Sequence, residues 1–128
     1  MLTFRNPKTI APPQAEYTHG VEVPAGARLL SIAGQVGVDA QGKLADSFEG
    51  QCENAFANLQ KVLADAGMTF ADVIKTTTFL TDRANLSKMV GIRKKYMGDA
   101  KPAATLLIVA GLADPKFLLE IEMTAAKV

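Results

Sequence analysis

Two carboxylates share one face of the last strand this sequence encodes. In Phe117-Leu118-Leu119-Glu120-Ile121-Glu122-Met123-Thr124-Ala125 apolar and polar residues alternate, and successive strand residues point to opposite faces. Leu119, Ile121 and Met123 form one apolar row, while Glu120 and Glu122 project together from the other face about 7 Å apart. A carboxylate held there and partly shielded from water could orient a water molecule or carry a proton. The same pattern also describes the wet face of an antiparallel sheet, so the surroundings decide between the two. The run before it, Leu106-Leu107-Ile108-Val109-Ala110, and the earlier Leu29-Leu30-Ser31-Ile32-Ala33 are apolar at successive positions. Both predict water excluded from either side of the sheet. Something must cover the second face.

The other side chains able to do chemistry read as structural. Cys52 falls in the apolar stripe of a helix, which makes it a small buried hydrophobe; a reactive thiol needs an exposed, cationic setting. His19, the only histidine, lies in a strand-like run and is assigned no titrating role. Arg93-Lys94-Lys95 is a short cluster on one helix, which predicts a solvated face rather than a nucleic-acid contact. No metal site is expected.

The elements that must position the carboxylates follow from periodicity. Three of the six prolines fall in residues 1–16, which read as an extended approach. Strands at Thr18–Val23 and Arg28–Ala33, joined by Pro24-Ala25-Gly26, read as a hairpin, and Val36-Gly37-Val38 as a short edge strand. Phe48, Cys52, Ala55, Phe56, Leu59, Val62, Leu63 and Ala66 fall on one helical stripe, with Asp46 or Ser47 to cap it and Gly67 to end it. A β-branched strand at Val73–Thr81 precedes a second helix at about Asn85–Met97, stopped by Gly98. The fold class is therefore α+β, a six-stranded mixed sheet with two helices on one face. The other face is expected to pack against further copies of the chain in a closed ring.

A chain of 128 residues is the size of one domain, so residues 1–128 are expected to form a single unit. Fourteen Lys and Arg against thirteen Asp and Glu leave a formal charge of +1, with no general field to attract nucleic acid. One cysteine allows no internal disulfide, the first residues lack the apolar core of a secretory signal, and no run approaches the length of a membrane span. A cytoplasmic protein without membrane partners is expected.

An ordered set of short pieces resembles the RidA/YjgF family: Tyr17-Thr18-His19-Gly20, Ile32-Ala33-Gly34-Gln35-Val36, Asn54 to Leu59 with Ala66-Gly67, Val73-Ile74-Lys75-Thr76-Thr77, Pro102-Ala103 and Glu120-Ile121-Glu122. No single piece is specific; their order and spacing from residue 12 onward carry the resemblance. It implies a chorismate-mutase-like fold of the bacillus type and a homotrimer whose three sheets line a barrel, with small-molecule clefts at the subunit interfaces. It also implies hydrolysis of enamines and imines such as 2-aminoacrylate to a keto acid and ammonia, with no metal or organic cofactor.

Carried over position by position, the resemblance makes Tyr17 the cleft tyrosine, Gly34 the glycine whose backbone approaches the ligand, and Glu120 the catalytic carboxylate beside the attacking water. Four polar positions of the family are altered here. The carboxylate-gripping arginine is Ala104, followed by Thr105; a serine is Ala33, a cysteine is Leu106, and an asparagine falls at Val90 or Gly91. Tyr17, Ala33, Gly34, Ala104 and Thr105 are the expected ligand-binding set. Truncating one partner of a desolvated guanidinium–carboxylate pair costs about 2–5 kcal/mol, or at least about ten-fold in affinity. Lys75, Arg28 and Lys101 are candidates for a replacement cation. The function expected is hydrolysis of an imine, enamine or related C–N compound other than the usual amino-acid-derived imines. A non-catalytic metabolite-binding or regulatory trimer is the alternative, and an endoribonuclease or translation inhibitor has least support, since no basic stripe with interleaved aromatics is present.

Overall fold

A computed structural model describes residues 1–128 as β1 (Thr3–Arg5), β2 (Gly20–Glu22), β3 (Arg28–Gln35), α1 (Phe48–Asp65), β4 (Val73–Leu80), α2 (Leu86–Met97), β5 (Ala103–Ile108) and β6 (Leu119–Lys127), with 3-10 turns at Phe70–Asp72 and Arg83–Asn85. The main sheet has the order β3-β6-β4-β5. Its β4–β5 pair is parallel, while β6 runs antiparallel to both β3 and β4. The last strand in sequence is thus central.

Helix α1 starts where the Ser47 hydroxyl accepts the Gly50 N–H at 3.0 Å, and it ends before Gly67, which adopts φ 71°. That left-handed conformation suits glycine because no Cβ is present to clash. Its stripe of Phe48, Cys52, Ala55, Phe56, Leu59 and Leu63 is buried against the β6 row of Leu119, Ile121, Met123 and Ala125. Fully burying each large apolar side chain stabilises the fold by about 1.5–3 kcal/mol. Helix α2 joins the same core through Met89 and Met97. Tyr96 stacks on Phe56 with ring centroids 5.6 Å apart. The Cys52 thiol is fully buried, and burial pushes its pKa up to about 12, so the structural reading of this residue holds.

Three expectations are corrected. The six strands do not form one sheet: β1 and β2 make a separate two-stranded ribbon, with Phe4 opposite Val21. The expected hairpin between β2 and β3 is therefore absent. β2 is a three-residue Gly-Val-Glu that finds its partner in the N-terminal segment, while β3 takes its ladder from β6 along Arg28–Ile32. Val36-Gly37-Val38 is no edge strand beyond a single bridge between Val38 and Leu44. Its carbonyls serve α1 instead, with Gly37 O accepting from Asn54 Nδ2 at 3.1 Å and Val38 O from Asn58 Nδ2 at 2.9 Å.

The face of the main sheet away from the helices is uncovered within the chain and less apolar than the runs implied. Leu29 and Leu107 are 68% and 45% exposed near its two edges. The rows between them carry Ser31 opposite Thr124 and Thr77 between Glu122 and Thr105.

One buried amide ties α1 to the start of β6. Gln51 Nε2 donates to the carbonyls of Ala45 and Lys116, both at 3.1 Å, and its Oε1 accepts the Leu118 N–H at 2.9 Å. The side chain is 2% exposed. Gln51→Leu leaves these three backbone groups without a partner and is expected to lower unfolding stability by about 2–4 kcal/mol, read from urea denaturation midpoints.

Candidate functional site

Glu120 leaves β6 on the uncovered face because Leu119 and Ile121 on either side are held in the core. Its neighbour across the ladder is irregular. Ile32 pairs with Met123 and Gln35 with Ile121, so Ala33 and Gly34 together oppose Glu122 in a bulge, a device that re-aims side chains. The bulge brings the Gly34 backbone beneath the Glu120 side chain. A Cβ built on Gly34 would stand 2.0 Å from Glu120 Oε2 and 2.9 Å from its Cγ. Gly34 has no positive φ, so the glycine supplies room rather than conformational freedom. Glu120 is half-buried and is not among the carboxylates paired with a cation.

Tyr17, Ala104 and Thr105 collect at the other edge of the sheet. The Thr18 N–H donates to Pro102 O at 3.1 Å, and Thr18 bridges Ala103 in parallel. The segment carrying Tyr17 is thereby sewn to the start of β5. The Tyr17 ring meets the His19 ring edge-on, centroids 5.8 Å apart. His19 is bound at both ends, its N–H to Asn6 Oδ1 and its Nε2 to Ala11 O, which fits the structural reading. Ala104 is in register with Thr76 on the helix side, whereas Thr105 is in register with Thr77 on the uncovered side. There Lys75 Nζ donates to Thr105 Oγ1 at 2.7 Å.

The predicted residues therefore fall into two groups. Ala33, Gly34 and Glu120 lie on β3 and β6, while Tyr17, Ala104 and Thr105 lie along β5. From β6 to β5 is two strand spacings, about 10 Å, and from β3 to β5 is three, about 14 Å. One chain does not bring the two groups together.

Of the three candidate cations, Arg28 donates to Ala66 O at 3.2 Å near the end of α1, Lys75 is on the sheet face, and Lys101 stands 3.7 Å from the Glu16 carboxylate. A fourth was missed. Within the basic cluster, Lys94 pairs with Asp99 and Lys95 with Glu53 on the surface, but Arg93 is half-buried and its Nη2 donates to the backbone carbonyl of Glu16 at 2.8 Å. Burial lowers its pKa from the ordinary guanidinium value, opposed by the Glu16 carboxylate. The expected solvated face is thus corrected for this residue. Its signal in the sequence was its place in the stripe Leu86, Met89, Val90, Arg93, Tyr96, Met97, where an arginine interrupts apolar positions.

The family model described as endoribonuclease L-PSP matches residues 8–127. This chain belongs to the Rid family. A Rid-family protein from Yersinia pestis, YyfB, superposes with a TM-score of 0.86 and 36% identity over 98% of both chains. A RutC family protein of Pyrococcus abyssi is 30% identical over 99% of this chain and 95% of its own length. The mouse 2-iminobutanoate/2-iminopropanoate deaminase is 33% identical over 86% of this chain and 78% of the mouse protein. The fold is the α+β, chorismate-mutase-like one of Rid proteins. No helix of this Rid chain is long and apolar enough to cross a membrane.

Gly34→Ala tests the contact on which the first group rests. The atoms met by the new Cβ belong to a flexible side chain, so a stability loss on the order of 1 kcal/mol or less is expected. The Glu120 carboxylate should be displaced in a crystal structure of the variant, with the β3–β6 ladder retained.

Proposed function

We propose that this Rid protein hydrolyses a small imine, enamine or related C–N compound in a cleft formed between two copies of the chain, with Glu120 as the catalytic carboxylate. The observation that carries the reading is the unpaired Glu120 carboxylate over the bare backbone of Gly34. A side chain at position 34 would fill the space beside that carboxylate, and no cation competes for it. In the reaction R₂C=NH + H₂O → R₂C=O + NH₃, Glu120 takes a proton from water as its oxygen bonds to the imine carbon. It passes that proton to the nitrogen to give a carbinolamine, then carries the hydroxyl proton to the nitrogen as C=O forms, the C–N bond breaks and ammonia leaves. The Gly34 backbone offers a hydrogen bond, Ala33 lies beside it, and Tyr17, Ala104 and Thr105 line the cleft from the opposite edge. The chemistry draws on water alone and on no cofactor. With alanine at position 104, the range of compounds accepted differs from that of arginine-bearing relatives.

The separation of the two residue groups supports a homotrimer. If the β3 edge of one copy meets the β5 edge of the next, each interface unites Glu120 and Gly34 from one chain with Tyr17 and Ala104 from another. A head-to-tail contact of this kind closes into a ring, and three copies place the uncovered sheet faces inside it. The mouse relative's name, an iminobutanoate and iminopropanoate deaminase, agrees with the reaction class. An RNA-cleaving role has less support: the net charge is +1, and the sequence carries no basic stripe with interleaved aromatics.

Glu120→Gln is expected to lower turnover of 2-aminoacrylate-type substrates by about 10²–10⁴-fold while leaving the sedimentation coefficient unchanged. Unchanged turnover would remove the assigned role. Mixing and reannealing the Glu120→Gln chain with an Ala104→Trp chain tests the shared cleft. Each variant alone is inactive, and in an equimolar mixture about one cleft in four joins two intact edges and regains activity. No recovery would place the whole site within one chain.

A further inference from the structure

The geometry points to Arg93 as the residue that binds the anionic group of the cleft's ligand, a carboxylate received by its guanidinium beside Tyr17 rather than at position 104. The inference rests on the cleft proposed above and adds a ligand feature to it. Arg93 projects from α2 to the segment that leads into β2 and is paired with the start of β5. Its one hydrogen bond within the chain goes to the carbonyl of Glu16 at 2.8 Å, the residue next to Tyr17, and the following Thr18 is fixed to Pro102 and Ala103. The guanidinium thus stands where the tyrosine and the first residues of β5 converge. It has five N–H donors in a planar fork suited to a carboxylate, and a single carbonyl occupies only part of that fork.

Charge makes the site specific. Arg93 is half-buried yet lacks a carboxylate within salt-bridge distance, whereas Arg5, Lys94, Lys95 and Lys101 each have one. Glu16 places its carboxylate 3.7 Å from Lys101 and acts on Arg93 only through space, while its backbone oxygen accepts the Arg93 hydrogen bond. A partly desolvated cation whose counter-ion stands beyond salt-bridge distance gains more from an incoming anion than a solvated surface lysine does. The three cations expected from the sequence fit less well: Lys101 is exposed beside the Glu16 carboxylate, Arg28 is held at the end of α1, and Lys75 donates to Thr105 on the sheet face.

The test separates charge recognition from simple support of the Tyr17 segment. Pyruvate and its neutral analogue pyruvamide are titrated by calorimetry into the oligomeric wild type and into Arg93→Gln and Arg93→Lys. Pyruvate affinity is expected to fall about ten-fold or more in Arg93→Gln and to recover in part in Arg93→Lys, while pyruvamide affinity stays within about two-fold throughout. Equal weakening of both compounds would make Arg93 a strut and overturn the inference. Unchanged pyruvate binding, or none by the wild type, would overturn it as well. The two proposals fail separately. Glu120-dependent turnover with Arg93-insensitive pyruvate binding removes only the anion site, and Arg93-dependent pyruvate binding without Glu120-dependent turnover removes only the hydrolysis.

Discussion

Strand β6 sits between β3 and β4 and must bury every second residue beneath α1. Leu119, Ile121, Met123 and Ala125 are all 2% exposed or less, and the period of a strand leaves no choice about the residues between them. Glu120 and Glu122 are on the uncovered face because the core holds their neighbours. A one-residue slip would send both carboxylates into the helix layer, at a cost of several kcal/mol each. The same register keeps the fold and presents the candidate catalytic group. Gln51 reinforces it by bonding the Leu118 N–H, so the helix that buries the row also sets where the strand begins.

The charges sort along the same lines. At the β3–β6 side the Glu120 carboxylate has no cation within salt-bridge distance, and at the β5 side the Arg93 guanidinium has no carboxylate within that distance. Surface ion pairs such as Lys94–Asp99 contribute little to stability. Were copies of the chain to meet head to tail, these opposite charges at two edges of one sheet would attract.

Much of this was legible in the residues. The stripe from Phe48 to Leu63, the β-branched strand at Val73 and the alternation of β6 are strong periodic signals, and Glu120 and Gly34 were placed together by the ordered pieces around them. What was illegible depended on long-range pairing. β1 has three exposed residues and carries no period of its own, so its partnership with β2, and with it the loss of the β2–β3 hairpin, lies beyond local pattern. Arg93 was hidden because a run of three basic residues reads as one solvated cluster; the helix turns its first member inward and leaves the other two in water. The division of the predicted site residues between two sheet edges was set by no local pattern, since strand order is decided by which rows pack best and not by proximity in sequence; only the resemblance, with its clefts between subunits, pointed that way.

The bulge at Ala33 and Gly34 has a second consequence. Strands β3 and β5 are both terminal in the sheet, and a terminal strand with free N–H and C=O groups is a template on which further chains can add without limit. At β5 the first of these groups is already engaged by Thr18. At β3 the extra residue bends the strand and interrupts the straight row of donors and acceptors that fibrillar stacking needs. The kink that seats a carboxylate thus also discourages amyloid-like extension.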